Sequence, residues 1–161
     1  MDTFHQKSWL GYLAIVRIFV GTQFVQAAWP KVFGGHFLSG QGRGLGEQLL
    51  AGAAKDPLLW HRAFIIDFVA PNAHFFSYLV AFGELAIGIS LITGCLMRVS
   101  SSFGALHNAN IYLAIAYANG AQANFNRLLI VLHIVFVCAS AGRVLGIDGL
   151  LAKRFPRSPL F

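Results

Sequence analysis

The chain carries at residues 75–97 the apolar run FFSYLVAFGELAIGISLITGCLM, in which Glu84 is the one charged residue. The run exceeds the roughly 20 residues that a helix needs to cross a bilayer. A second apolar run, residues 99–118, follows after Arg98 alone. Since so short a connection allows only a tight turn, the two predicted helices must be antiparallel neighbours.

Two further apolar runs flank this pair along the chain. Residues 9–29 precede it and residues 128–147 follow it, and each meets the same length criterion. The sequence therefore predicts an all-α integral membrane protein: one domain over residues 1–161, built as an antiparallel bundle of four transmembrane helices.

The composition supports a membrane protein and excludes other classes. Hydrophobic residues make up 57% of the chain and charged residues only 11%, and the mean hydropathy is +0.64. So few charges cannot cover a water-facing surface, and the excess apolar surface must face lipid. The net charge of +6 comes from cations spread singly near the ends of apolar runs. This pattern favours contact with headgroups and gives no nucleic-acid patch.

The long connection at residues 30–74 begins with a glycine-rich segment and continues with short amphipathic stretches. Pro57 stands at a predicted helix start, and Trp60 and Phe64 recur at helical spacing. We expect a helix that lies on the mouth of the bundle or in the membrane interface. Asn72 is predicted to cap the following transmembrane helix.

The ends of the chain and its cysteines add two smaller predictions. The cationic run KRFPR at residues 153–157 follows the last predicted helix closely, which places both termini of this multi-pass protein in the cytoplasm. Cys95 and Cys138 fall at different depths of their helices, so we expect two small buried hydrophobic residues and no disulfide.

Two charged residues, Arg17 and Glu84, lie inside predicted spans. A charge in a transmembrane helix costs at least about 2.5 kcal/mol, so each needs a partner or a function. Counting 1.5 Å per residue from the start of each helix puts both near mid-bilayer, and we predict an ion pair between them. The pair would fix the rotation of the two helices, or its carboxylate would serve in proton transfer or hold the head of a quinone.

Four more polar residues fall at middle depth: His107, Asn108 and Asn110 in the third helix and His133 in the fourth. His107 and Asn110 share a face and Asn108 points away from it, so not all of them can face one pocket. Either these residues form hydrogen bonds between helices, or His107, Asn110 and His133 join Arg17 and Glu84 in a pocket for a small ligand. A haem held by His107 and His133 is disfavoured, because their depths differ by roughly 7 Å at 1.5 Å per residue. No spacing of ligands predicts a metal site, and no covalent cofactor is expected.

Three segments together resemble the DoxX/DoxD family of small membrane proteins. These are RIFVGTQFVQAAWPK at residues 17–31, WHRAFIIDFVAPNAHFFSYLVAFGELAIGISLITGCLMR at residues 60–98, and Asn110. The archaeal namesakes of the family are subunits of a terminal quinol oxidase and of thiosulfate:quinone oxidoreductase. The resemblance covers most of the chain, and its motif positions here are Arg17, Lys31, Glu84 and Arg98.

The resemblance implies a four-helix bundle in the cytoplasmic membrane of a bacterium or archaeon, with other membrane subunits and quinone-linked electron transfer. If the complex is an oxidoreductase, it would act on sulfur compounds with a quinone as acceptor. Thiosulfate would need cations outside the bilayer, and the candidates on the long connection are Lys31, Arg43, Lys55 and Arg62; solvated surface charge is the other interpretation. A non-catalytic accessory subunit of a larger respiratory or photosynthetic complex is the alternative function.

Overall fold

The computed structural model describes the backbone of residues 2–39, 44–115, 119–158 and 160 and, within these, all side chains except those of residues 2–10 and 115. Arg43 and the predicted helix end at residues 116–118 lie outside the described residues. The described part of the chain is helical and contains no strand.

Eight α-helices are described, with a π-helical segment and a 3₁₀ turn between some of them. In chain order they are α1 Asp2–Phe33, α2 His36–Ser39, α3 Leu45–Ala53, α4 Leu59–Ala63 with the π-helical segment Phe64–Val69 directly after it, α5 Ala73–Thr93, α6 Met97–Ile115, α7 Gly120–Cys138, the 3₁₀ turn Ala141–Arg143, and α8 Ile147–Arg154.

Within the described residues, three helical stretches are long and apolar enough to cross a membrane. They are Gly11–Phe33 of α1, Ala73–Thr93 and Gly120–Cys138. α6 is as long as α7 but has a mean hydropathy too low for this criterion, because serines, histidine and asparagines replace apolar residues along it. The structure thus supports a multi-pass helical membrane protein, and it does not confirm the predicted count of four spans.

The tight turn predicted between the second and third helices is confirmed. α5 ends at Thr93 and α6 begins at Met97, so the two are antiparallel. Gly94 and Leu96 in the turn both adopt left-handed conformations, with φ of 67° and 54°. A left-handed conformation is strained for leucine, and the turn therefore depends on contacts from elsewhere in the chain.

The predicted bounds of the last long helix, residues 128–147, are wrong. α7 begins eight residues earlier, at Gly120, where the side chain of Asn119 accepts a hydrogen bond of 3.2 Å from the backbone nitrogen of Gln122. It ends at Cys138, and Ser140 just beyond it is left-handed with φ of 47°. Hydropathy missed the start because the first turns are polar, while their cap still makes them helical.

The long helices pack in two close pairs, α1 with α5 and α6 with α7. In the first pair, a methyl group on Gly21 would lie 2.9 Å from the carbonyl oxygen of Gly88, so the two backbones touch there. In the second pair, a methyl group on Gly104 would overlap the ring of His133. Small residues at these points allow close approach of membrane helices. The core joins both pairs and contains Val20, Phe24, Ile87, Leu91, Met97, Leu129, Phe136 and Ala141.

The long connection folds into a cap of short helices at the end of the bundle where α5 begins. Ala53, Ile65 and Val69 form a second small core there. Trp60 and Phe64 of the predicted stripe, and Phe68 one turn further on, are exposed on the cap, and the Phe68 ring also packs against Phe76. Such a stripe suits the membrane interface.

Two hydrogen-bond details of the cap differ from or add to the sequence predictions. Asn72 occupies the N-cap position of α5, yet its side chain donates to the carbonyl of Phe68 at 2.8 Å and caps nothing. Asp56 and His61, both buried, form a hydrogen bond between Oδ2 and Nδ1, and Asp56 also accepts from the backbone nitrogen of Leu58 at 2.8 Å. This pair fixes the start of α4.

Candidate functional site

Glu84 lies in the middle of α5 on the face that turns into the bundle. Ala81 and Gly88, one turn away on either side, are buried on the same face. Only 5% of the Glu84 side chain is exposed. A carboxylate in such a position requires hydrogen-bond donors around it.

Lys31 supplies the first donor. It stands in the last turn of α1, which continues past Pro30 to Phe33. Its Nζ donates to both carboxylate oxygens of Glu84, at 2.6 Å to Oε1 and 2.5 Å to Oε2. The same Nζ lies 5.6 Å from the centre of the Phe37 ring in α2, and 27% of the Lys31 side chain remains exposed.

His107 of α6 supplies the second contact, with its Nε2 3.0 Å from Oε1 of Glu84. A carboxylate accepts, so Nε2 carries the hydrogen in this contact. Lys31, Glu84 and His107, here called the carboxylate cluster, bring three helices together in one site. A carboxylate between an ammonium group and an imidazole can take up and release protons beside a bound ligand.

The predicted ion pair between Arg17 and Glu84 is wrong. Arg17 is fully buried, and its Nη2 donates to the carbonyl oxygen of Leu145 at 3.0 Å. Because Gly21 packs against Leu91, Arg17 reaches the level of Gly94. Along α5 this is roughly 15 Å from Glu84 at 1.5 Å per residue. The error came from counting depth from the first apolar residue, while the close contact of glycines sets the register.

A second polar cluster, which the sequence analysis did not predict, holds the turn between α5 and α6. Asp148 of α8 is buried and accepts from the backbone nitrogens of Leu96 and Met97 at 2.7 and 2.9 Å. It also attracts the guanidinium of Arg17. Asp148 lies just beyond the last predicted span, and its sequence signal is an acidic residue between Gly146 and Gly149 in the first turn of a short helix.

Two other predicted site residues, His133 and Asn110, do not contact Glu84. The His133 ring is fully buried, with its centre 5.4 Å from that of Phe24, whose ring lies 6.5 Å from that of His107. Asn110 is exposed and donates to the carbonyl of Leu106 in its own helix at 2.8 Å. The structure thus brings His107 into contact with Glu84. His133 makes no such contact and is near His107 only through the ring of Phe24, which lies close to both. Asn110 is not part of the site.

The predicted cations of the long connection that the structure describes lie in two separate regions. Lys31 belongs to α1 and contacts Glu84. Lys55 and Arg62 are exposed on the cap. Arg43 lies outside the described residues. Lys31 therefore contacts Glu84 inside the bundle, while 27% of its side chain remains exposed.

A cleft of about 180 Å³ lies between α2, α3 and the start of α5, and none of the three residues of the carboxylate cluster lines it. Phe37, which contacts Lys31, is one of its walls, and Ser77 lines it two turns before Glu84 on α5. Within the described residues, no group of three or more histidine, cysteine, aspartate or glutamate side chains is placed to hold a metal ion.

The sequence model of one family, described as TQO small subunit DoxD, matches residues 12–159. The match covers nearly the whole chain and includes every residue of the carboxylate cluster. Comparison with curated proteins and with solved structures finds no match.

Proposed function

We propose, because this chain belongs to the DoxD family, that it is the quinone-binding membrane subunit of a complex of the thiosulfate:quinone oxidoreductase type. The observation that carries the proposal is the carboxylate cluster: a buried glutamate held by a lysine and a histidine from two other helices.

The chemistry of a quinone fits these three side chains. Reduction to the quinol adds two electrons and two protons, one proton to each ring oxygen. Lys31 can donate a hydrogen bond to one ring oxygen, and Glu84 and His107 can each supply one proton, so that each ring oxygen receives one. The electrons would come from a reduced sulfur compound bound by a partner subunit, and the quinone itself carries the redox chemistry.

The cleft next to Lys31 is the proposed approach for the quinone head. Its volume of about 180 Å³ is below the roughly 300–1,000 Å³ of typical ligand pockets. A quinone head that enters here must therefore displace Phe37 from Lys31, which frees the ammonium group to bind the ring oxygen.

We also propose that α6 completes a four-helix bundle in the cytoplasmic membrane, with both termini in the cytoplasm. α6 is too polar to face lipid on all sides, but its polar residues lie mostly against α5 and α7, where Glu84 and Asn126 are buried. Burial against protein removes the cost of their exposure to lipid. α6 would thus insert as the partner of α7.

The test is purification of the chain with its natural partners in a mild detergent, followed by mass spectrometry of bound quinone. We expect quinone with the wild-type protein and with Asp67→Asn, an exposed control carboxylate, and loss of quinone from Glu84→Gln and from His107→Gln. Both site variants must elute at the wild-type size.

Two results would reject this function. If the wild-type chain carries no quinone, or if both site variants retain it, the carboxylate cluster is not a quinone site. A large intact complex whose quinone is unaffected by these variants would instead identify the chain as a non-catalytic accessory subunit.

A further inference from the structure

His133 is fully buried, and neither of its ring nitrogens has a hydrogen-bond partner among the described residues. The hydroxyl of Ser101 is equally buried and equally without a partner there. Buried polar groups are nearly always satisfied by protein or by ordered water. Two such side chains close together on facing helices indicate water between α6 and α7.

The register of α6 and α7 places these groups in a line with His107. Ser101 and His107 stand three residues before and three residues after Gly104, so each lies about 60° to one side of Gly104 around α6. Because Gly104 has no side chain, the ring of His133 lies directly on its backbone. His133 is thus flanked by Ser101 one turn before and by His107 one turn after, with steps of roughly 4.5 Å along the helix axis.

A water molecule that bridges two polar groups makes a hydrogen bond of about 3 Å to each of them, so it can link side chains that stand one such step apart along α6. The rings of Phe24 and Phe136 pack against His133, with centres 5.4 and 6.2 Å from its own. Both rings are themselves buried in the core, so the line lies inside the bundle and its waters would have His133, Ser101 and His107 as partners.

Both ends of the line meet further polar groups. At one end, His107 contacts Glu84 at 3.0 Å. At the other end, Arg98 stands three residues before Ser101, is partly exposed, and donates to the hydroxyl of Ser140 at 2.9 Å. The line therefore runs along α6 from the carboxylate cluster towards the turn between α5 and α6, where Arg98 is partly exposed.

We propose that Ser101, His133 and His107, with water between them, form a proton path from the Arg98 end of the bundle to Glu84. The path rests on the proposed function, because quinone reduction consumes two protons for the two electrons that the sulfur compound supplies. Each proton leaves Glu84 or His107 for a ring oxygen, and a proton from water near Arg98 replaces it through His133.

The first experiment tests the water itself and needs no quinone. The hydrogen on Cε1 of a histidine exchanges in D₂O only where water reaches the ring, and mass spectrometry of peptides measures it in the purified full chain. We expect exchange at His133 despite its burial. Ser101→Val, which fills the line with methyl groups, should stop that exchange and leave exposed His74 unchanged. Ser102→Val, an exposed neighbour, is the matched control.

The second experiment measures thiosulfate-dependent reduction of a soluble quinone analogue by membranes that contain the whole complex. Ser101→Val and His133→Leu should lower kcat by about tenfold or more and leave the KM for the quinone analogue and the bound quinone unchanged. Ser102→Val should retain wild-type kcat. Two different substitutions guard against a folding defect in one of them.

The outcomes separate the path from the quinone site. No exchange at His133 in the wild-type chain, or exchange that Ser101→Val does not affect, overturns the path. So does a normal kcat in both variants, even if quinone binding at Glu84 is confirmed. If the wild-type chain binds no quinone, the proposed function fails. The proton path then fails with it, even if His133 exchanges in D₂O.

Discussion

Glu84 depends for its stability on a lysine that comes from the end of another helix. Lys31→Met removes that ammonium group and leaves a carboxylate that is only 5% exposed with His107 as its remaining ionisable partner. Breaking a buried pair costs about 3–5 kcal/mol, and we expect the lower end of that range because Lys31 is partly exposed. Thermal unfolding in detergent should show a lower Tm.

The controls use the same type of substitution. Lys55→Met removes an exposed lysine of the cap and should leave Tm unchanged. The double variant Lys31→Met with Glu84→Gln should be more stable than the sum of the single variants predicts, because no charge is left unpaired. A Tm of Lys31→Met equal to that of wild type would contradict the buried pair.

Asp148 holds two backbone nitrogens of the strained turn with its two carboxylate oxygens. Asp148→Asn offers only one acceptor oxygen, so the nitrogen of Leu96 or of Met97 loses its partner. An unsatisfied buried donor costs about 1–3 kcal/mol, and we expect the free energy of unfolding to fall by that amount. Asp67→Asn, on the exposed side of the cap, is the comparison; equal effects of the two substitutions would show that Asp148 does not hold the turn.

The identity of the important residues was easier to predict than their pairing. Arg17 and Glu84 stand out because charges are rare in apolar runs, and Lys31 lies in a segment, residues 17–31, that resembles the DoxX/DoxD family. Their partners could not be derived, because the register of α1 on α5 is set by contact between Gly21 and Gly88, which hydropathy does not report. Asp148 was missed because it lies outside every apolar run.

Gly88 allows α1 and α5 to touch, and its replacement should separate them. A methyl group there would lie 2.9 Å from the backbone nitrogen of Val25 and 3.0 Å from the carbonyl oxygen of Gly21. Since backbone atoms cannot turn aside as side chains do, Gly88→Ala should cost about 1–3 kcal/mol. Thermal unfolding provides the measurement.

Gly83 offers a control in the same helix. A methyl group on Gly83 meets nothing within 4 Å, and alanine favours a helix over glycine by up to about 1 kcal/mol. Gly83→Ala should therefore leave Tm equal or slightly raised. If both substitutions have the same effect, the close contact of α1 with α5 is not where we describe it.

The existence of the long helices was predictable from the length of the apolar runs, while the residues at which these helices end were not. The four apolar runs each correspond to a helix, and the tight turn after Thr93 followed from the spacing of two runs. α7 begins among polar residues because Asn119 caps it, and it ends where Ser140 turns left-handed. Caps and turns act through hydrogen bonds of single residues, so an average over twenty residues does not detect them.

The number of membrane crossings can be decided from the two ends of the chain. If α6 crosses with α1, α5 and α7, the termini lie on the same side of the membrane; with three crossings they lie on opposite sides. We expect reporter proteins fused to either end, one fluorescent only in the cytoplasm and one active only outside it, to place both termini in the cytoplasm. Opposite sides would exclude α6 as a fourth span.

The bond between Arg17 and Leu145 joins positions 128 residues apart, and this has a consequence for how the protein is made. During synthesis, α1 enters the bilayer long before the residues around Leu145 have been made. Until then, Arg17 lies in the bilayer without this hydrogen bond. In protease digestion of nascent chains of increasing length, we expect α1 to be cleaved readily until the segment around Leu145 has emerged, and to be protected afterwards. Synthesis of the last residues would then be the event that secures the first helix.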